Sequence, residues 1–294
     1  MLARRRSKTT MRGERRSSAR GQSVEFADHR NYVAGDDLRY LDWNLYGRLD
    51  RLFLKLYEEE RELPVTLLLD ASESMAFGEP RKFDFARQVV AAIGYVALCG
   101  FDRVRVSVFP GRAGMLEELA TGERAVSQEA IATEALGSVR GRKSSLQFLK
   151  HLGLLEARGA ADFNASLTRC AMETKQTGLL VVVSDFLDPA GYEPGLSALI
   201  SRGFQVHAVQ VLAPEEVNPS VFGDLRLVDS EHGTTQEVTF GRYRMEAYQS
   251  TVRNYVQRLR EYCTGRGITF FQVVSDCSLE ELLLKRLRES EVWG

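Results

Sequence analysis

From residue 63 onward the chain alternates short, almost purely apolar runs with longer amphipathic ones, and this alternation limits the folds open to it. Strands are predicted at 65–70, 103–109, 179–184, 204–212 and 268–274, each a Val/Leu/Ile/Phe run closed by a turn or a charge. Helical patterns lie between them at 81–99, 144–155, 163–176, 192–202, 243–264 and 278–289. Strands that are apolar on both sides must be covered on both faces, so the expectation is an α/β fold with a mostly parallel central sheet and helices on both faces. A short antiparallel edge is expected at 114–119, and a hairpin over 225–240 turning at His232-Gly233. The chain is read as a basic flexible tail over 1–23, an aromatic and charged segment over 24–62, and the α/β domain over 63–294.

Two of the apolar strands end in oxygen-bearing side chains. The stretch Pro64-Val-Thr-Leu-Leu-Leu-Asp-Ala-Ser-Glu-Ser-Met75 places Asp70, Ser72 and Ser74 at alternate positions, and Leu179-Leu-Val-Val-Val-Ser-Asp185 ends in Ser184 and Asp185. Open parallel sheets bind ligands outside the carboxyl ends of their strands, so both groups fall where a site belongs. Such oxygens suit Mg2+, whose partial protein shell would leave a position for a partner's carboxylate. The same residues also fit a plainer role, with Ser72 or Ser74 capping the following helix and Asp70 accepting backbone N–H bonds.

Catalysis has less support. A phosphoryl-transferring aspartate needs an acid/base partner, and the position two residues beyond Asp70 is Ser72. The sequence has neither a G-x-S-x-G elbow nor a G-x-x-x-x-G-K-[ST] phosphate loop. The four histidines, His29, His151, His207 and His232, occur in unrelated contexts, with His207 expected to pack within a strand. A Mg2+-dependent phosphohydrolase using Asp70 stays as the alternative to a non-enzymatic interaction module. Cys99, Cys170, Cys263 and Cys277 form no CxxC pair, and Cys99 and Cys170 read as small buried residues. No run reaches the roughly 18 apolar residues of a membrane span, so a cytoplasmic protein is expected.

The first 20 residues hold seven Arg and one Lys against one Glu. Such a tail can neutralise phosphates, but it carries no interleaved aromatics to stack on bases, so a nucleic-acid role is the lesser alternative. The segment that follows mixes Arg30, Asp36, Asp37, Arg39 and Asp42 with Tyr32, Trp43 and Tyr46. It reads as an ion-pair network around a tight turn, serving either as a clasp onto the sheet domain or as a docking surface.

The D-x-S-x-S spacing in LLLDASESM, after an apolar strand, resembles the first metal-binding motif of von Willebrand factor type A domains. VVVSDF resembles the strand that carries the last aspartate of that site, here Asp185. The resemblance implies a Mg2+ adhesion site of Asp70, Ser72, Ser74, Asp162 and Asp185. The threonine expected in the middle motif is Ala161, which leaves open whether the site is working or a relic. Upstream, Arg30, Tyr32, Gly35, Asp36, Asp37, Arg39, Leu41, Asp42 and Trp43 match R-x-Y-x-x-G-D-D-x-R-x-[IL]-D-W, which resembles the hallmark of a prokaryotic family known as domain of unknown function fifty-eight. That resemblance spans about residues 20–290. It implies a type A-like domain with an N-terminal extension, acting as an adaptor or chaperone-like partner of a MoxR-type AAA+ ATPase. Arg30, Tyr32, Asp36, Asp37, Arg39, Asp42 and Trp43 would then be the partner-binding residues.

Overall fold

The computed structural model describes residues 24–59, 63–110, 136–219, 223–228 and 235–281. The basic tail, the expected edge strand at 114–119, the His232-Gly233 turn and most of the expected 278–289 helix lie outside the described residues. The described residues fall into two compact units, a smaller one over 24–59 and a larger one from Leu63 onward.

In the smaller unit, β1 (Val24–Asn31) pairs antiparallel with β2 (Phe53–Glu59), with a register shift between Phe26 and Asp28. Between them runs α1 (Trp43–Leu49). Among the residues of this unit whose burial is described, Leu41 and Leu54 are the buried apolar ones, and their backbones pair in an isolated antiparallel bridge.

The larger unit begins with β3 (Pro64–Asp70), α2 (Lys82–Cys99), β4 (Arg103–Phe109) and β5 (Val139–Arg140). It continues with α3 (Ser145–Gly153), α4 (Phe163–Glu173), β6 (Leu179–Ser184), α5 (Glu193–Ser201), β7 (Gln205–Leu212) and the short α6 (Pro214–Val217). The hairpin β8 (Gly223–Val228) and β9 (Thr235–Phe240), then α7 (Arg242–Gly265) and β10 (Thr269–Val274), follow.

Among the described residues six strands form the central sheet in the order β10-β7-β6-β3-β4-β5, all parallel except β5. Successive side chains on a strand point to opposite faces, and the core divides accordingly. Val65, Leu67 and Leu69 pack with Val89, Ile93 and Phe148 of α2 and α3 on one face, whereas Leu68, Leu180 and Val182 pack with Leu167, Leu196 and Leu259 of α4, α5 and α7 on the other. The architecture is a mostly parallel α/β sheet with helices on both faces. The antiparallel edge is the two-residue β5, a strand the apolar pattern does not mark. α2 sits so close to α3 that a Cβ at Gly94 would lie 2.1 Å from Phe148 Cζ.

Two expectations need correction. Helix α4 stops at Glu173 rather than 176, because Thr174 is extended and its N–H closes onto the Cys170 carbonyl. Cys99, expected to be buried, is exposed at the last residue of α2, while Cys170 is buried in α4 as expected.

Candidate functional site

Chain order reverses direction in the sheet between β3 and β6. From β3 the chain moves outward to β4 and β5, then returns to the other side of β3 as β6. The carboxyl ends of these two strands bound the crevice where a ligand belongs in such a fold, and they carry Asp70 and Ser184-Asp185.

Asp70 is buried, and both its oxygens are taken: Ser72 N–H donates to Oδ1 at 2.9 Å and Ser184 Oγ donates to Oδ2 at 2.6 Å. Burial, with the nearby Asp185 charge adding to it, pushes the Asp70 carboxyl up to about 7 against the opposing hydroxyl bonds. Ser72 stands at the N-cap of the short 3-10 turn Glu73–Ala76 but makes no side-chain cap bond. Its Oγ instead lies 3.0 Å from Ser74 Oγ, which donates to Asp185 Oδ2 at 3.2 Å. The capping role is therefore not the one these serines take. The structure links Asp70, Ser72, Ser74 and Asp185 into a chain of hydrogen bonds that joins the two strand ends.

Asp185 is held by its neighbours. Leu187 N–H donates to Oδ1 at 3.0 Å and Gln210 Nε2 donates to its carbonyl at 2.9 Å. The next residue, Phe186, has φ of 56°, a conformation non-glycine residues adopt rarely. It is fixed by ring packing against Phe163, by its N–H bond to Ser184 Oγ and by the Tyr255 hydroxyl, which donates to its carbonyl. This sharp turn begins immediately after β6, at the residue that carries the site carboxylate.

Two further residues enter that the sequence reading did not single out. Lys82, the first residue of α2, is 1% exposed, and its Nζ donates to Asp185 Oδ2 at 2.8 Å and to Glu216 Oε1 at 2.7 Å. Burial pulls the Lys82 ammonium down, but the Asp185 and Glu216 carboxylates outweigh it and the net shift is upward, so the ammonium stays charged. Burial pushes the Glu216 carboxyl up, with Lys82 opposing. Glu216 is anchored from α6, where its Oε2 accepts the Ala213 N–H at 2.8 Å.

Asp162 is placed differently. It is the N-cap of α4, its Oδ1 accepting the Ala165 N–H at 2.8 Å. Its loop does lie beside the Ser72–Ser74 turn, since Glu73 N–H bonds to the Gly159 carbonyl. Asp188 likewise serves the backbone, accepting from Phe163 N–H and Ala190 N–H. Among the described residues no three His, Cys, Asp or Glu side chains group closely enough to hold a metal ion. As arranged, the donors do not fit a divalent cation: Ala161 offers no hydroxyl, Asp162 caps its helix, and an ammonium already sits on Asp185.

In the smaller unit, the residues of the Arg30–Trp43 segment form separate local pairs rather than one network. Arg30 holds Asp36 bidentately at 2.7 and 2.8 Å, and Asp36 also accepts the Val33 N–H. Arg39 pairs with Asp37, two residues away. Asp42 caps α1 through Asn44 N–H and Leu45 N–H, with His29 Nε2 3.0 Å and Lys55 Nζ 3.5 Å from its Oδ2. The His29 bond is the foremost cause holding the Asp42 carboxyl down at about 2. Tyr32 is half-buried, its N–H bonded to the Leu52 carbonyl. Trp43 is 64% exposed, edge-on to Tyr46, with Val33, Leu38 and Leu49 also exposed in the same unit.

Comparison with protein-family profiles gives a match to "Protein of unknown function DUF58" over residues 28–258. The chain belongs to this family. The DUF58 match takes in both units and both strand ends of the site. Similar relatives are uncharacterized proteins of Mycobacterium bovis and of two Mycobacterium tuberculosis strains, each 28% identical over 223 residues. That alignment covers 74% of this chain, and the chain spans 64% of those relatives' length. Among solved structures, the conserved hypothetical protein BatB from Bacteroides thetaiotaomicron is similar at 16% identity and a TM-score of 0.45, over 78% of this chain and 97% of that one. An aerotolerance-related membrane protein from Bacteroides fragilis is similar at 17% identity and a TM-score of 0.42, over 78% of this chain and 98% of that one. Among the described residues no helix is long and apolar enough to cross a membrane.

Proposed function

We propose that this DUF58 chain is a non-enzymatic, cytoplasmic protein-interaction module, an adaptor or chaperone-like partner of a MoxR-type AAA+ ATPase. The observation that carries the reading is the state of the strand-end site. Asp70, the nucleophile that the phosphohydrolase alternative requires, is 4% exposed and has both oxygens bonded within the fold. A nucleophile or general base must reach its substrate, and this carboxyl supports hydrogen bonding within the protein instead.

What the site offers outward is recognition. The polar centre has apolar neighbours at its rim, with Phe77 at 51% exposure just after the Ser74 turn and Leu187 at 43% just after Asp185. A polar centre beside exposed apolar side chains suits a protein partner. The Arg30–Trp43 segment supplies a second surface whose Arg and Trp residues are the types enriched in binding hot spots. The ATPase as partner comes from the family resemblance.

The test is binding between the full chain and the MoxR-type ATPase of the same organism by titration calorimetry, with Asp70→Ala and Trp43→Ala as variants whose fold is checked by circular dichroism. At least a tenfold loss of affinity in folded Asp70→Ala is expected, about 1.4 kcal/mol. Equal binding by both folded variants and wild type would remove both surfaces from the reading. Hydrolysis of an aryl phosphate that is lost in Asp70→Asn would instead support the phosphohydrolase alternative.

A further inference from the structure

We propose that the Lys82 ammonium occupies the role of the divalent cation in the strand-end site, so that the site is assembled without metal. The inference stands apart from the adaptor reading, because an enzyme of this fold could carry the same ammonium.

Four observations converge on it. The Lys82 Nζ contacts Asp185 Oδ2, the same oxygen that accepts the Ser74 hydroxyl, so the ammonium and the serine converge where a cation would bridge the two strand ends. Lys82 is fully buried, and a buried lysine is retained only where its charge is compensated. That compensation includes Glu216, a carboxylate from a third element that the D-x-S-x-S motif does not contain, itself fixed by the Ala213 N–H. Finally, Ala161 leaves no hydroxyl where the metal-binding pattern has one, and the neighbouring Asp162 oxygen is bonded to the backbone of α4.

The chemistry of the two cations differs. Mg2+ requires about six oxygens in near-octahedral geometry at roughly 2.0–2.1 Å and keeps positions open to exchange. An ammonium has three N–H donors and satisfies carboxylates at ordinary hydrogen-bond distances, with no coordination position to offer. A dication placed against Asp185 would also meet the ammonium's like charge in a site with little water to screen it. Lys82 thus offsets one of the two carboxylate charges it contacts and occupies both with N–H donors, and any partner meets hydroxyls and backbone rather than a metal.

The test is titration of Mn2+ into the full-length wild type, into Lys82→Met, which keeps the length of the stem, and into Lys82→Met/Asp185→Asn. Calorimetry and the electron paramagnetic resonance signal of free Mn2+ report uptake. The expected results are no saturable uptake by wild type up to about 1 mM, and one saturable site in folded Lys82→Met, at least tenfold tighter, that the added Asp185→Asn removes. Saturable uptake by wild type that Asp70→Ala abolishes would overturn the proposal, as would folded Lys82→Met that gains no site. Because loss of Lys82 can unfold the chain, wild-type amide spectra with Mn2+ give a second reading. Unbroadened Ser72, Ser74 and Leu187 signals support the proposal, and selective paramagnetic broadening of those three overturns it.

Discussion

Replacing Glu216 with glutamine is expected to cost about 2–4 kcal/mol of stability. Removing one partner of a buried ion pair costs about 3–5 kcal/mol, because the other charge is left in a medium that solvates it poorly. Lys82 is 1% exposed, but it keeps Asp185 at 2.8 Å, and the Glu216 side chain is 16% exposed. Both facts bring the expectation below the upper end of that range. The glutamine amide oxygen can still accept the Ala213 N–H that Glu216 Oε2 now accepts at 2.8 Å. Glu216→Ala loses that bond as well and should cost about 1 kcal/mol more. Urea unfolding followed by far-ultraviolet circular dichroism, with the slope m compared between proteins, measures both differences. A Glu216→Gln variant within about 0.5 kcal/mol of wild type, the range of an ordinary surface change, would refute the view that Lys82 depends on two carboxylates.

Other outcomes follow from the packing and the buried titratable groups. Gly94→Ala would place a Cβ 2.1 Å from Phe148 Cζ in a fully buried contact, and should lower stability by about 1–3 kcal/mol in the same urea assay. His207 is buried in β7 with Nδ1 unbonded, and burial lowers its pKa to about 4. The unfolded chain therefore takes up the proton first as pH falls below about 6.5, and stability should decline by up to about 3 kcal/mol on the way to pH 4. His207→Leu should flatten that part of the stability curve, and an unchanged slope would contradict the assignment. Asp42→Ala removes two cap bonds from α1 and the partner of His29, so hydrogen exchange at the Asn44 and Leu45 amides should accelerate. Exchange rates equal to wild type would show that another group caps the helix.

The strands Arg103–Phe109 and Leu179–Ser184 are legible to the residue for two reasons: LLVVVS is an uninterrupted Leu/Val run, and RVRVSVF alternates Val with Arg and Ser at the two-residue period of a strand. β1 is not, since VEFADHRN ends in four consecutive polar residues without a sustained alternation, and it gains its strand geometry from pairing with β2. β5 has only two residues and no period to detect. The site shows the same division. Asp70, Ser72, Ser74 and Asp185 are visible because each follows an apolar run at a place where chemistry belongs. Lys82 and Glu216 are not, because their contacts span 103 and 134 residues of chain. One local signal for Lys82 does exist: a cation in the first turn of a helix faces the positive end of the helix dipole, an unfavourable place unless a carboxylate compensates it. Asp162 is the reverse case, a residue at the expected position in the motif whose carboxylate caps its helix.

The most direct test of the account is an anomalous difference map from crystals of the full chain grown with Mn2+. Lys82 Nζ is expected between Asp185 and Glu216, with no anomalous peak beside Asp70, Ser72 and Ser74. A peak bound by those residues and Asp185, with the Lys82 side chain turned away, would contradict it.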